Sequence, residues 1–146
     1  MRSYQLYLIE DEFASHYLGR ERMFYQLFLE YRQTKGYLKS IISKQVDFVT
    51  RPIPVLRIHQ LLHQQLQKTQ GFYVDNGSYV YKNKTNNSSA ILKVHERWLE
   101  LESDGQIDTE TVFFEILRKC ESAFLAIDLE SNKYGWLKPI KERKYV

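Results

Sequence analysis

Few side chains in this sequence are spaced so as to carry chemistry. His59 and His63 stand four apart in a stretch with helical periodicity, a separation at which two imidazoles can share one metal ion. Position 60 is Gln, so the helical metalloprotease pattern lacks its glutamate base, and no third ligand lies nearby in sequence. Two partly solvated helix histidines, and no metal, are the expectation. Glu10, Asp11 and Glu12 bring three carboxylates together, but at the start of a helical pattern they serve as cap and dipole partners. Cys120 ends an amphipathic stretch with no activating neighbour and reads as a small buried residue. The six glycines are scattered at turns instead of forming a phosphate-cradling loop. No catalytic constellation emerges, so the expectation is a non-enzyme without a cofactor.

What remains is a set of contact-forming residues. Phe13 and Tyr17 lie four apart, on one face of a short helix. Gln45, Phe48 and Val49 close a second helical stretch just before Pro52. Pro139 follows Trp136-Leu137 in a tail that also carries Lys138, Lys141, Arg143 and Lys144. Each has a plain structural account: the apolar residues as core, Pro139 as an exit turn.

The elements that position these residues are legible from periodicity. Residues 3–9 are apolar on both alternating sides, the pattern of a central strand buried on two faces. Residues 20–33 give a helix whose stripe is Met23, Phe24, Leu27, Phe28 and Tyr31. Leu38, Ile41, Ile42, Gln45, Val46 and Val49 mark another, ended by Pro52. Pro54 suits the first turn of a third, lined by Val55, Ile58, Leu61, Leu62 and Leu66. From Gly71 the period becomes two, and Asp75-Asn76-Gly77 is a hairpin signal. Residues 82–89 read as a flexible polar loop, followed by two strands joined near Glu96-Arg97. Asp108 is placed to cap a helix over 109–120, and a hairpin around residues 130–132 closes the chain. Runs of like elements predict an α+β fold: a two-layer sandwich, mainly antiparallel sheet with helices packed on it, as one domain over residues 1–146.

Bulk properties agree with such a domain. The 146 residues are 43% apolar and 14% aromatic, with eleven Tyr suited to half-exposed contact surfaces. Net charge is +3, from 21 Lys and Arg against 18 Asp and Glu, too small an excess to argue for nucleic acid. No apolar run reaches the roughly 18 residues of a membrane span, and no secretory leader is evident. A single cysteine agrees with a reducing compartment, so a cytoplasmic location is expected.

Several blocks taken together resemble the SirA family, the sporulation inhibitors of DNA replication from endospore-forming bacteria. They are Tyr7-Leu8-Ile9, residues 12–21, residues 45–55 with Pro52-Ile53-Pro54, residues 110–115, and the last thirteen residues from Tyr134. The likeness runs nearly end to end and is weakest over 32–44 and 68–90. It implies a non-enzymatic protein that binds the N-terminal domain of the replication initiator DnaA. Phe13, Tyr17, Gln45, Phe48, Val49 and Pro139 match the family's DnaA-facing positions. Position 48 departs from the family pattern, with Phe where Tyr is expected, which removes a hydroxyl but keeps the ring. The resemblance implies no direct contact with nucleic acid and no membrane. The rival reading is a nucleic-acid-binding module built on the basic, aromatic C-terminal tail.

Overall fold

A computed structural model describes residues 1–16 and 19–137. Among these, the chain runs β1 (Arg2–Ile9), α1 (Asp11–His16), α2 (Glu21–Gln33), α3 (Tyr37–Val49), β2 (Thr50–Arg51) and α4 (Val55–Lys68). It continues through β3 (Phe72–Asp75), β4 (Ser78–Asn83), β5 (Ser88–Val94), β6 (Leu99–Asp104), α5 (Asp108–Cys120), β7 (Phe124–Asp128) and β8 (Lys133–Trp136). The strands form one sheet in the order β3-β4-β5-β6-β1-β7-β8, all paired antiparallel, which is the α+β sandwich expected.

β1 is central, as its two apolar sides require. Alternation points Tyr4, Leu6 and Leu8 to one face and Gln5, Tyr7 and Ile9 to the other. The helical cover is divided accordingly. On the first face Tyr4 meets Phe114 of α5 edge to face, and Phe72 of β3 packs on Phe113. Arg2 Nε donates to the Glu110 carboxylate at 2.6 Å, pinning α5 to β1 with a carboxylate only 1% exposed. On the second face Tyr7 stacks on Phe28 of α2 at 4.0 Å between centroids. Phe24 of α2 meets Trp136 of β8, and Tyr25 meets Tyr134.

The hairpin between β3 and β4 closes on Asn76 and Gly77, both with positive φ (52° and 83°). Two left-handed residues match the right-handed twist of the flanking strands, which is why Asn-Gly signals this turn.

Several local expectations are corrected. Met23 is 53% exposed, and Tyr25 takes a core place instead, because α2 turns its stripe toward β8 as well as β1. Leu38 (56% exposed) and Ile41 also face outward, leaving Ile42 and Val46 as the buried residues of α3. The polar segment 82–89 is mostly strand, since β4 runs to Asn83 and pairs with Ser88 of β5; only 84–87 connect them. Asp108 lies inside α5; Ile107 holds the cap position, with no side-chain cap bond, and Asp108 Oδ2 instead accepts from Asn86 Nδ2 at 3.4 Å.

β2 has no counterpart in the periodicity. β6 pairs with Arg2 to Leu6 of β1, and the two residues of β2 take over that edge at Leu8 and Ile9. Two residues are too few to produce a recognisable period.

Candidate partner-binding surface

The short strand β2 builds the surface. Thr50 pairs with Ile9, so the last turn of α3 arrives beside the first turn of α1. The backbone continues that ladder, with Glu10 N–H donating to Val49 O at 2.9 Å. Arg51 adds a clamp, its Nη2 lying 3.3 Å from Asp11 Oδ1 and 3.4 Å from Glu121 Oε2. The acidic start of α1 thus complements the helix dipole and an arginine together.

The C-terminus of α3 is held by Arg97, from the β5–β6 connection. Its Nη2 donates to Asp47 O at 3.1 Å, Thr50 O at 3.2 Å and Thr50 Oγ1 at 3.0 Å. Thr50 Oγ1 in turn donates to Val46 O at 2.7 Å. A cation on the last carbonyls of a helix satisfies orphan acceptors and the dipole at once.

This frame brings four of the six candidate residues together. Phe13 is half-buried, and its ring meets that of Phe48 at 5.3 Å with planes at 62°. Phe48 is 71% exposed, so it is not a core residue. Gln45 is exposed and Val49 half-buried, and with Leu27, Lys44 and Phe48 they line a shallow groove of about 480 Å³ between α2 and α3. Tyr17 and Pro139 lie outside the described residues.

Leu38 and Ile41 extend the same outer face of α3, since their spacing from Gln45 and Phe48 is i, i+3, i+7 and i+10. A contiguous face of exposed apolar side chains, unlike a single one, is the physical form of a contact surface. The sequence pattern placed Leu38 and Ile41 on the helix without saying which of its apolar residues are covered, because an apolar stripe does not say how wide its buried part is.

A second junction lies at the start of α2. The Glu21 carboxylate Oε1 accepts from Trp136 Nε1 at 2.9 Å and from Gly19 N–H at 3.2 Å. It therefore ties the α1–α2 connection to the last strand. Burial alone would raise the Glu21 pKa, but the indole donor and the backbone N–H groups of Glu21 and Gly19 outweigh it and hold the carboxyl below its ordinary value. Glu21 carried no periodicity signal of its own.

The groups considered for chemistry have ordinary occupations. The His59 Nδ1 and Tyr79 hydroxyl share a hydrogen bond of 2.6 Å, and the His63 ring packs edge-on to the same tyrosine. Cys120 is buried, which raises its thiol pKa and suppresses the reactive thiolate. No helix among the described residues is long and apolar enough to cross a membrane.

Two comparisons bear on this arrangement. The profile of the family described as "Sporulation inhibitor of replication protein SirA" matches residues 2–141. A curated protein of Bacillus subtilis (strain 168), "Sporulation inhibitor of replication protein SirA", is 40% identical over 149 residues, covering 99% of each chain. With a family match over nearly its whole length and a full-length relative at that identity, this chain belongs to the SirA family.

Proposed function

We propose that this protein inhibits the initiation of DNA replication during sporulation by binding the N-terminal domain of DnaA and occluding a surface DnaA needs. The name of the Bacillus subtilis relative supports the inhibitory role. The observation that carries the docking surface is the convergence of Phe13, Gln45, Phe48 and Val49 on one side of α1 and α3, with Phe48 held 71% exposed. Such a ring has apolar area to lose to a partner at little conformational cost, the usual make-up of an interface anchor. Tyr17 and Pro139 belong to the same proposed contact set by family resemblance. Occlusion requires no catalysis and no cofactor, and DnaA places the action in the cytoplasm. The whole of residues 1–146 acts as one domain.

The test is a titration of the isolated N-terminal domain of DnaA with this protein in the absence of DNA. Saturable binding, weakened by Phe48→Ala, is the expected result. No binding by that domain, together with a salt-sensitive affinity for DNA abolished by Lys141→Ser, Arg143→Ser and Lys144→Ser, would overturn the reading and establish the basic tail as the working part.

A further inference from the structure

Behind α3, on the side opposite Phe48, lies a cavity of about 360 Å³ bounded by α2, α3, β1 and the start of β6. Its volume is that of a small-ligand site. Its walls are aromatic: the stacked pair Tyr7 and Phe28, with Tyr31 and Trp98. Flat walls of this kind select a flat ring.

Its polar lining carries one more cation than anion. Arg32, Lys39 and Arg97 line it together with Asp47 and Glu100, and Arg32 also lies 3.9 Å from the Glu130 carboxylate. Glu100 is placed 3.6 Å from His95 Nε2, and the Lys39 ammonium lies 4.9 Å from the centre of the Tyr31 ring. Arg97 applies its Nη2 to the end of α3, while its buried Nε has no hydrogen-bond acceptor; the Asp47 carboxylate, at 3.8 Å, pairs with it by charge but lies beyond hydrogen-bond reach. A buried donor without an acceptor beside an aromatic cavity is an address for an oxygen-bearing ligand.

We propose that this cavity binds a small molecule with one flat aromatic ring and one anionic group, of the chemistry shared by nucleoside monophosphates and aromatic carboxylates. The ring lies against the aromatic wall to which Tyr31 and Trp98 contribute, and the anion reaches Lys39 and the Arg97 Nε. Nothing in this site depends on DnaA, so its failure would leave the proposed docking surface untouched.

The experiment is an amide-resolved NMR titration of the full chain with adenosine 5′-monophosphate, with indole-3-carboxylate, and with uncharged adenosine. Expected is saturable binding of at least one anion with a Kd below about 1 mM, with shifts centred on Tyr31, Ser43 and Trp98. Which anion binds more tightly identifies the source. Adenosine binds about tenfold more weakly than its monophosphate if the nucleotide is the ligand, because the charge-assisted bonds are lost. Lys39→Glu lowers affinity about tenfold or more, and Ser43→Leu, which intrudes into the cavity, weakens binding; both variants keep the parent's thermal midpoint. The proposal is overturned if neither anion binds, if the shifts centre elsewhere, or if Lys39→Glu binds as the parent does.

Discussion

Phe13 and Phe48 meet edge to face, their ring centroids 5.3 Å apart, although one follows the first strand and the other ends the third helix. The contact exists because Thr50 and Arg51 pair with the end of β1 and carry the last turn of α3 to the first turn of α1. An edge-to-face pair contributes roughly 0.5–1.5 kcal/mol beyond area burial. Here most of one ring still faces solvent, and it is available to a partner.

Phe48→Ala should therefore separate binding from folding. With the side chain 71% exposed, the change should cost less than about 1 kcal/mol of stability. It should weaken binding to the N-terminal domain of DnaA at least about tenfold. Phe13→Ala, at a half-buried site packed on the core, should lose both binding and about 1–3 kcal/mol of stability. Phe48→Tyr adds only a hydroxyl to a side chain that is 71% exposed and should leave stability within about 0.5 kcal/mol. Chemical denaturation alongside a binding titration checks all three. A Phe48→Ala variant that unfolds early but binds normally would mark the ring as structural.

Arg97 should govern α3 from a distance. Arg97→Ala removes three bonds at the end of that helix, and the expected loss is about 1–3 kcal/mol. Arg97→Lys should recover little of it, because an ammonium cannot reproduce the guanidinium fork. Hydrogen exchange of the last-turn amides of α3 should quicken in both variants while those of α5 stay protected. Uniform quickening across both helices would assign Arg97 to global stability alone.

Trp136 and Glu21 should be coupled. Trp136→Ala should cost about 3 kcal/mol through lost packing on Phe24. Trp136→Phe keeps a ring but removes the indole donor, at about 1 kcal/mol. The folded-state pKa of Glu21 is depressed below the ordinary 4.5. Its contribution is present above that ordinary value and is lost as pH falls through the folded one. In Trp136→Phe the Glu21 pKa should rise and this acid-side dependence should shrink, as a carboxyl NMR titration can show. An unchanged Glu21 titration in that variant would mean the indole bond does not form in solution.

Alkaline pH should destabilise the fold through its buried phenols. Burial, with smaller effects from Tyr31 and Glu100, pushes the Tyr7 hydroxyl from 10.0 up to about 12. Burial also raises Tyr4, where Glu110 adds to the effect, and Tyr79. A raised folded-state pKa means that the stabilisation is complete below the unfolded value and is lost as pH rises from about 10 toward the folded value. For Tyr7 the decline steepens by at most about 1.4 kcal/mol per pH unit in that window. Denaturation midpoints measured across it should fall more gently in Tyr7→Phe than in the parent. Equal slopes would show that Tyr7 ionises freely in the folded state.

The sequence by itself determined the elements whose signals are local. A two-sided apolar run specified the central strand, Asn76-Gly77 the tight hairpin, the prolines the end of α3 and the entry to α4, and like-with-like ordering an α+β fold. Its short blocks also carried the family. Tertiary structure alone decided which apolar residues remain outside. Phe48, Leu38 and Ile41 share a helix with Ile42 and Val46, and only the sheet beneath determines which of them is covered. It also decided every relationship that joins distant segments: β2 on the edge left by β6, Arg97 on the end of α3, Glu21 between Gly19 and Trp136. Periodicity reports one element's own faces, whereas a pairing of two residues or a single hydrogen bond between remote segments leaves no period to read.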